Sequence, residues 1–193
     1  MSRRATIAIV DARVRAERRT LVYACAAAAV VGFVAPHGLA GPVFFCSLLG
    51  IVIALVQSPG RFPHLDLCEQ SAPLFGRQLA RAKALVPCVG AVLATLAYVS
   101  AAVVAGLRAI PVTLLVTIAA VIPSTLTALS ATIRTGPSRL LYIVMATAAS
   151  VIAFALAAMA GSIPGELGFA VLASFLALRQ YGEALARYDP VGG

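Results

Sequence analysis

The chain alternates between long apolar runs and short polar segments. Six runs approach the roughly 20 apolar residues that a helix needs to cross a bilayer. They occupy residues 20–36, 42–57, 84–107, 109–132, 140–160 and 164–180. The pattern predicts an all-α, polytopic membrane protein with six transmembrane helices.

A separate amphipathic segment, residues 1–19, precedes the first run. Its apolar side chains recur at helical spacing, whereas the charged ones occupy the rest of the surface, namely Arg4, Asp11, Arg13, Arg15 and Arg18. A basic amphipathic helix of this kind typically lies in the membrane interface. We therefore expect an N-terminal interfacial helix before the first span, with a disordered basic tail as the alternative.

The basic residues predict the orientation of the spans. Fourteen of the fifteen lysines and arginines fall in the N-terminal segment, in the connection 58–83, in the turn 133–139 and at the C-terminal end from Arg179 onward, and only Arg108 falls in the remaining connections. Cationic connections stay in the cytoplasm. Both termini are therefore predicted to be cytoplasmic, with a six-span membrane domain at 20–182 and a short C-terminal tail at 183–193.

Composition agrees with this topology. Hydrophobic residues make up 61% of the chain and charged residues 11%, with a mean hydropathy of +0.98. Soluble domains are nearer half apolar and a quarter charged. Six spans leave no room for a soluble catalytic domain, and the net charge of +8 is explained by topology, so we expect no nucleic acid as a partner.

The connection 58–83 is longer than a turn requires, and long connections are usually functional or disordered. Asp66 and Glu69 fit the start of a short helix, and Pro73 breaks it and can begin a second one. In that second helix Arg77, Gln78 and Arg81 share one face. We expect two short helices along the membrane that offer charge to the cytoplasm.

The order of residues in this connection resembles the loop between spans two and three of ABC-2 type transporter permeases. The resemblance is carried by an acidic residue, a proline, an arginine and a leucine, then an alanine and a lysine leading into a span: Glu69, Pro73, Arg77, Leu79, Ala82 and Lys83. In that family the loop is a coupling helix that docks on the ATP-binding subunit. The resemblance implies that this contact involves Glu69, Pro73, Gly76, Arg77, Arg81 and Lys83, and an ordinary positive-inside loop is the alternative.

The same resemblance implies the partners and the location. These are a separate ATP-binding subunit that carries ATP and Mg, a second permease copy or a paralogue, and the lipid of a bacterial cytoplasmic (inner) membrane. The chain departs from the family between spans five and six, where residues 161–168 have room for only an abbreviated re-entrant turn.

Polar residues inside the spans suggest a transport route. Hydroxyl side chains and one carboxylate are candidates for its lining: Thr113, Thr117, Ser124, Thr127 and Glu166. The alternatives are hydroxyls bonded to their own helix backbone and an exposed helix cap at Glu166.

No catalytic constellation or metal site is predicted, because neither a nucleophile with its base nor converging metal ligands can be assembled from the sequence. Ionisable residues are also absent from the middle of the spans, so the energy for transport must come from a partner. The sequence therefore predicts a non-enzymatic permease subunit. A structural or accessory subunit of a larger membrane complex is the alternative.

Overall fold

The computed structural model describes residues 2–35, 40–56, 69, 76–108, 110–134, 137–160 and 163–187. These residues form six helices and no strand, which confirms the all-α prediction. The helices are α1 (Ser2–Val34), α2 (Ala40–Val56), α3 (Gly76–Val104), α4 (Ile110–Thr132), α5 (Pro137–Ala160) and α6 (Ile163–Arg187). Each predicted apolar run lies on one of them.

Two helices are longer at their N-terminal ends than the sequence predicts. Residues 2–34 form one helix, so the predicted boundary between an interfacial helix and a first span is not a helix end. The predicted second helix of the connection 58–83 likewise continues without a break into the third apolar run. Both boundaries are rich in alanine and arginine, which favour helix, and Pro87, just after the second boundary, lies inside α3 without ending it.

Helix α6 differs from the prediction at both ends. It begins at Ile163, so residues 163–168 form its first turns, and residues 161 and 162 of the predicted re-entrant turn lie outside the described residues. It continues to Arg187, into the segment predicted to be a tail.

The helices alternate in direction. Leu21 of α1 lies beside Gly90 of α3, and Gly32 lies beside Tyr98, so these two helices run the same way. Gly182 of α6 lies beside Ala80 of α3, so the end of α6 meets the start of α3. The start of α1 and the end of α6 are therefore at the same end of the bundle.

That end also holds most of the exposed charge, and we call it the basic end. It carries exposed arginines of four helices: Arg15, Arg18, Arg19, Arg81, Arg139 and Arg179. At the opposite end of the described bundle, Arg108 is exposed just beyond α3. Among the described residues, exposed arginines are therefore concentrated at the basic end.

Helix α4 lies at the centre of the bundle, where it packs against α2, α3, α5 and α6, whereas α1 packs mainly on α3. The interior is made largely of alanine and buried hydroxyls, while large apolar side chains lie on the outside. Tyr23 is 72% exposed, Val171 70% and Phe175 64%. Small residues between helices and large apolar residues around them are typical of bundles that face lipid.

Within the part of the chain that the structure describes, two helical segments are long and apolar enough to cross a membrane, Gln78–Val104 and Ile110–Thr132. The described parts of α2 and α5 are apolar but shorter, at Gly41–Val56 and Ser138–Ala148. These lengths and the exposed apolar surface together support association with a membrane.

Candidate functional site

Four charged side chains meet at the basic end, where α1, α3 and the connection between α2 and α3 converge. They are Arg13, Glu17, Glu69 and Lys83, and we call them the ion cluster. Arg13 binds the Glu69 carboxylate with two nitrogens, through Nε to Oε1 and through Nη2 to Oε2 at 2.7 Å. Lys83 Nζ lies 2.7 Å from the same Oε2, and Arg13 Nη1 lies 3.7 Å from Glu17 Oε1. Glu69 therefore joins α1 to α3.

The ion cluster is almost fully removed from solvent. The side chains of Glu17 and Glu69 are each 1% exposed, that of Arg13 is 5% exposed and that of Lys83 is 12% exposed. Among the described residues of this site, two cations face two carboxylates, so their charges balance. Buried charges are tolerated when they are paired and hydrogen-bonded in this way, and a two-pronged arginine–carboxylate bond also fixes the relative orientation of its partners.

Helix geometry places these groups. Arg13 and Glu17 are one turn apart on α1 and face α3, as do Ala24, Ala28 and Gly32 further along the helix. Glu69 itself has a helical backbone, and the rest of the predicted short helix lies outside the described residues.

This arrangement corrects the prediction for the N-terminal segment. The sequence pattern places Arg13 on the polar outer face, but it is buried, whereas the apolar Ile7 and Val14 are 59% and 42% exposed. The same pattern predicts no role for Glu17. The signal that indicates both residues is the spacing of four between an arginine and the glutamate, since an acid one turn after an arginine is a natural pair inside an otherwise basic segment.

The predicted coupling residues divide into two groups. The carboxylate of Glu69 and the ammonium of Lys83 face inward and bind within the ion cluster. Arg81 is exposed, together with its neighbour Gln78. Gly76 is the first residue of α3, Pro73 lies outside the described residues, and the side chain of Arg77 also lies outside them.

The surface around the ion cluster is electropositive. Arg18 and Arg19 on α1 and Arg81 on α3 are exposed, and Arg15 binds Asp11 on the same helix. On α6, Arg179 Nε donates to Glu183 Oε1 at 2.9 Å. Such a surface favours an acidic protein partner or anionic lipid headgroups.

The predicted path-lining hydroxyls of α4 bond to their own helix. Thr117 Oγ1 donates to the Thr113 carbonyl at 2.6 Å, Ser124 Oγ to Ala120 at 2.8 Å and Thr127 Oγ1 to Pro123 at 2.8 Å. Thr113, Thr117 and Ser124 are at most 1% exposed. This geometry is that of the alternative given by the sequence, helix packing with satisfied hydroxyls. Glu166 lies in the first turn of α6, and its side chain falls outside the described residues.

Another contact at the basic end joins Arg134, which follows α4, to Tyr142 of α5. The Arg134 guanidinium lies 4.1 Å from the centre of the Tyr142 ring. A cation over an aromatic ring is attracted by the negative face of the ring. The contact holds the end of α4 against the first turns of α5.

Within the described residues, no three His, Cys, Asp or Glu side chains are grouped so that they could hold a metal ion.

Comparison with protein-family models, with curated proteins and with solved structures gives no match to this chain. The argument for its function therefore depends on the bundle, its charged end and the ion cluster.

Proposed function

We propose that the chain is the membrane-spanning permease subunit of an ATP-driven transporter of the ABC-2 type, coupled to a separate ATPase subunit through the start of α3 and the connection before it. The basic end faces the cytoplasm, all six helices cross the bilayer, and both termini are cytoplasmic. The location is a bacterial inner membrane, and a second permease subunit completes the transporter.

The observation that carries this proposal is the position of Glu69. It belongs to the long connection, yet it is bound to Arg13 of α1 and to Lys83 of α3. A force applied to the connection therefore acts on two helices at once, through bonds that resist changes in angle as well as distance. An element that transmits the motion of an ATPase to membrane helices needs this kind of rigid attachment.

The buried position of Glu69 and Lys83 changes which residues would contact the ATPase. Their charged groups are used inside the chain, so the exposed Gln78 and Arg81 supply the contact, with acidic side chains on the partner. Pro73, Gly76 and Arg77 remain proposed members of the same surface.

Purification from native membranes tests the assignment. A tagged chain extracted in mild detergent is expected to bring down a protein with an ATP-binding cassette, and Arg81→Glu is expected to abolish that association. Arg179→Glu is the matched control, because it reverses an exposed charge at the same end on a different helix.

The same experiment separates the alternative function. If only other integral membrane proteins co-purify, and Arg81→Glu has no effect on them, the chain is a structural or accessory subunit and the permease proposal is wrong.

A further inference from the structure

We infer that the ion cluster is a latch, and that Pro87 is the hinge of the segment it holds. When the cluster is intact, residues 76–86 at the start of α3 are closed against α1 and α6. When it is broken, this segment moves while the rest of α3 stays in place.

The first argument is that the Glu69 carboxylate, which belongs to the connection between α2 and α3, binds side chains of both α1 and α3. Both oxygens of Glu69 bind Arg13, and one of them also binds Lys83. If the Glu69 charge is removed, Arg13 and Lys83 face the one remaining carboxylate of the ion cluster, that of Glu17, which leaves a net positive charge in the ion cluster. Each of these side chains is at least 88% buried. An unbalanced buried charge is unfavourable, and the site can hydrate only by opening.

The second argument comes from the helix itself. Pro87 lies inside α3, and proline has no amide hydrogen to close the helical turn that begins at Lys83. Its ring also crowds the preceding turn, and prolines are the commonest cause of bends in helices. The weakest turn of α3 therefore lies directly beside its contact with Glu69.

The third argument comes from the packing on the two sides of Pro87. On the C-terminal side, α1 and α3 interlock closely, because a Cβ on Gly90 would overlap Leu21 and a Cβ on Gly32 would overlap the main chain of Tyr98. On the N-terminal side, the buried apolar side chains that the structure describes in α3 are Ala80, Ala82, Ala84 and Val86. Three of the four are alanines, which bury little apolar area, so the ion cluster is a principal contact of this segment with α1.

The test is alkylation of a buried cysteine. The four native cysteines, Cys25, Cys46, Cys68 and Cys88, are first replaced by alanine in the full chain. Ala82 is only 1% exposed, so a cysteine introduced there by Ala82→Cys is expected to react slowly with a water-soluble maleimide in detergent micelles. Adding Glu69→Gln should raise the rate at least about tenfold, since removal of one partner of a buried ion pair shifts an equilibrium by more than that factor.

Three controls make the result specific. Asp11→Asn removes an exposed carboxylate from α1 outside the ion cluster and should leave the rate unchanged. Ala94→Cys, which is 0% exposed on the other side of Pro87, should remain slow in the Glu69→Gln chain. Pro87→Ala combined with Glu69→Gln should return the Ala82→Cys rate toward its parental value, because an unbroken helix resists bending.

Each contrary result overturns the inference. An unchanged rate in Glu69→Gln excludes the latch, and no effect of Pro87→Ala excludes the hinge. Fast alkylation of Ala94→Cys, or loss of helix content in Glu69→Gln, would mean that the ion cluster holds the whole fold and not one segment.

Discussion

Gly32 of α1 lies directly against the main chain of Tyr98 in α3. A Cβ at Gly32 would lie 3.0 Å from the Tyr98 carbonyl carbon and closer still to its oxygen. Both neighbours are backbone atoms of a helix, which cannot rotate away as a side chain can. The two helices therefore approach each other as closely as they do only because residue 32 has no side chain.

Gly32→Ala is expected to destabilise the protein by about 1–3 kcal/mol, the usual cost of adding a methyl group to a well-packed contact. Unfolding in mixed micelles, followed by far-ultraviolet circular dichroism, measures the change, since the chain contains no tryptophan to report it. Gly168→Ala is the matched control. Nothing lies within 4 Å of a Cβ there, so the better helix propensity of alanine should leave stability unchanged or raise it. Equal losses in both variants would contradict a close helix contact at Gly32.

The ion cluster should show strong coupling between Arg13 and Glu69. Either Arg13→Met or Glu69→Gln alone leaves an unbalanced charge and should cost about 3 kcal/mol. The double variant leaves Glu17 and Lys83, whose charges cancel, so its cost should be well below the sum of the two. A double-mutant cycle by the same unfolding measurement gives the coupling.

The exposed pair Arg179 and Glu183 provides the comparison for that cycle. Its side chains are 67% and 54% exposed, and the corresponding single changes should cost at most about 0.5 kcal/mol, since solvent screens such pairs. If the losses in unfolding free energy of Arg13→Met and Glu69→Gln simply add in the double variant, the buried contact between Arg13 and Glu69 contributes no more than the surface contact between Arg179 and Glu183.

Much of this fold follows from the sequence, and the reasons are local. Each apolar run became a helix, because long uninterrupted hydrophobic segments have few other structures available. The hydroxyls of α4 bond to carbonyls within the same helix, so the sequence alone was enough to propose that geometry. The continuity of α1 differs from the prediction, because the change in hydropathy near residue 20 marks where the chain becomes apolar and not a helix end, and no helix-breaking residue is present there.

The contact between Arg13 and Glu69 could not be predicted in the same way. The two residues are 56 positions apart, and neither hydropathy nor helical spacing relates them. Their pairing depends on α1 and α3 lying side by side in the same direction, which is a tertiary property.

The start of α3 should be close enough to the end of α6 for a disulfide. A Cβ on Gly182 would lie 3.7 Å from the Ala80 Cβ, within the separation that disulfides require. The double variant Ala80→Cys with Gly182→Cys, in a background without the native cysteines, should therefore cross-link under mild oxidation. Pairing Gly168→Cys with Ala80→Cys is the control and should give none, because residue 168 lies about 14 residues further from that end of α6, or roughly 20 Å. Absence of a cross-link at Gly182 would contradict the predicted contact.

The Thr117 hydroxyl is expected to contribute little outside its own helix. It donates to the Thr113 carbonyl, which the helix backbone also satisfies, so Thr117→Val should change stability by less than about 1 kcal/mol. Thr117→Ser separates the effect of the hydroxyl on stability from that of the methyl group, because it keeps the hydroxyl and removes the methyl group. A loss in Thr117→Val that is clearly larger than in Thr117→Ser would mean that the hydroxyl acts beyond α4, as a residue lining a transport route would.

The two ends of the bundle should lie on opposite sides of the membrane. Arg108 is exposed at one end, and Arg18 and Arg139 are exposed at the other. Because cationic segments are retained in the cytoplasm, a cysteine at position 108 should react with a membrane-impermeant maleimide in intact cells, whereas cysteines at positions 18 and 139 should react only after the membrane is opened. The four native cysteines are replaced in each variant, so that every signal comes from the introduced residue. Reaction at all three positions in intact cells would place both ends on the outside, and the proposed contact between Arg81 and a cytoplasmic ATPase would then be impossible.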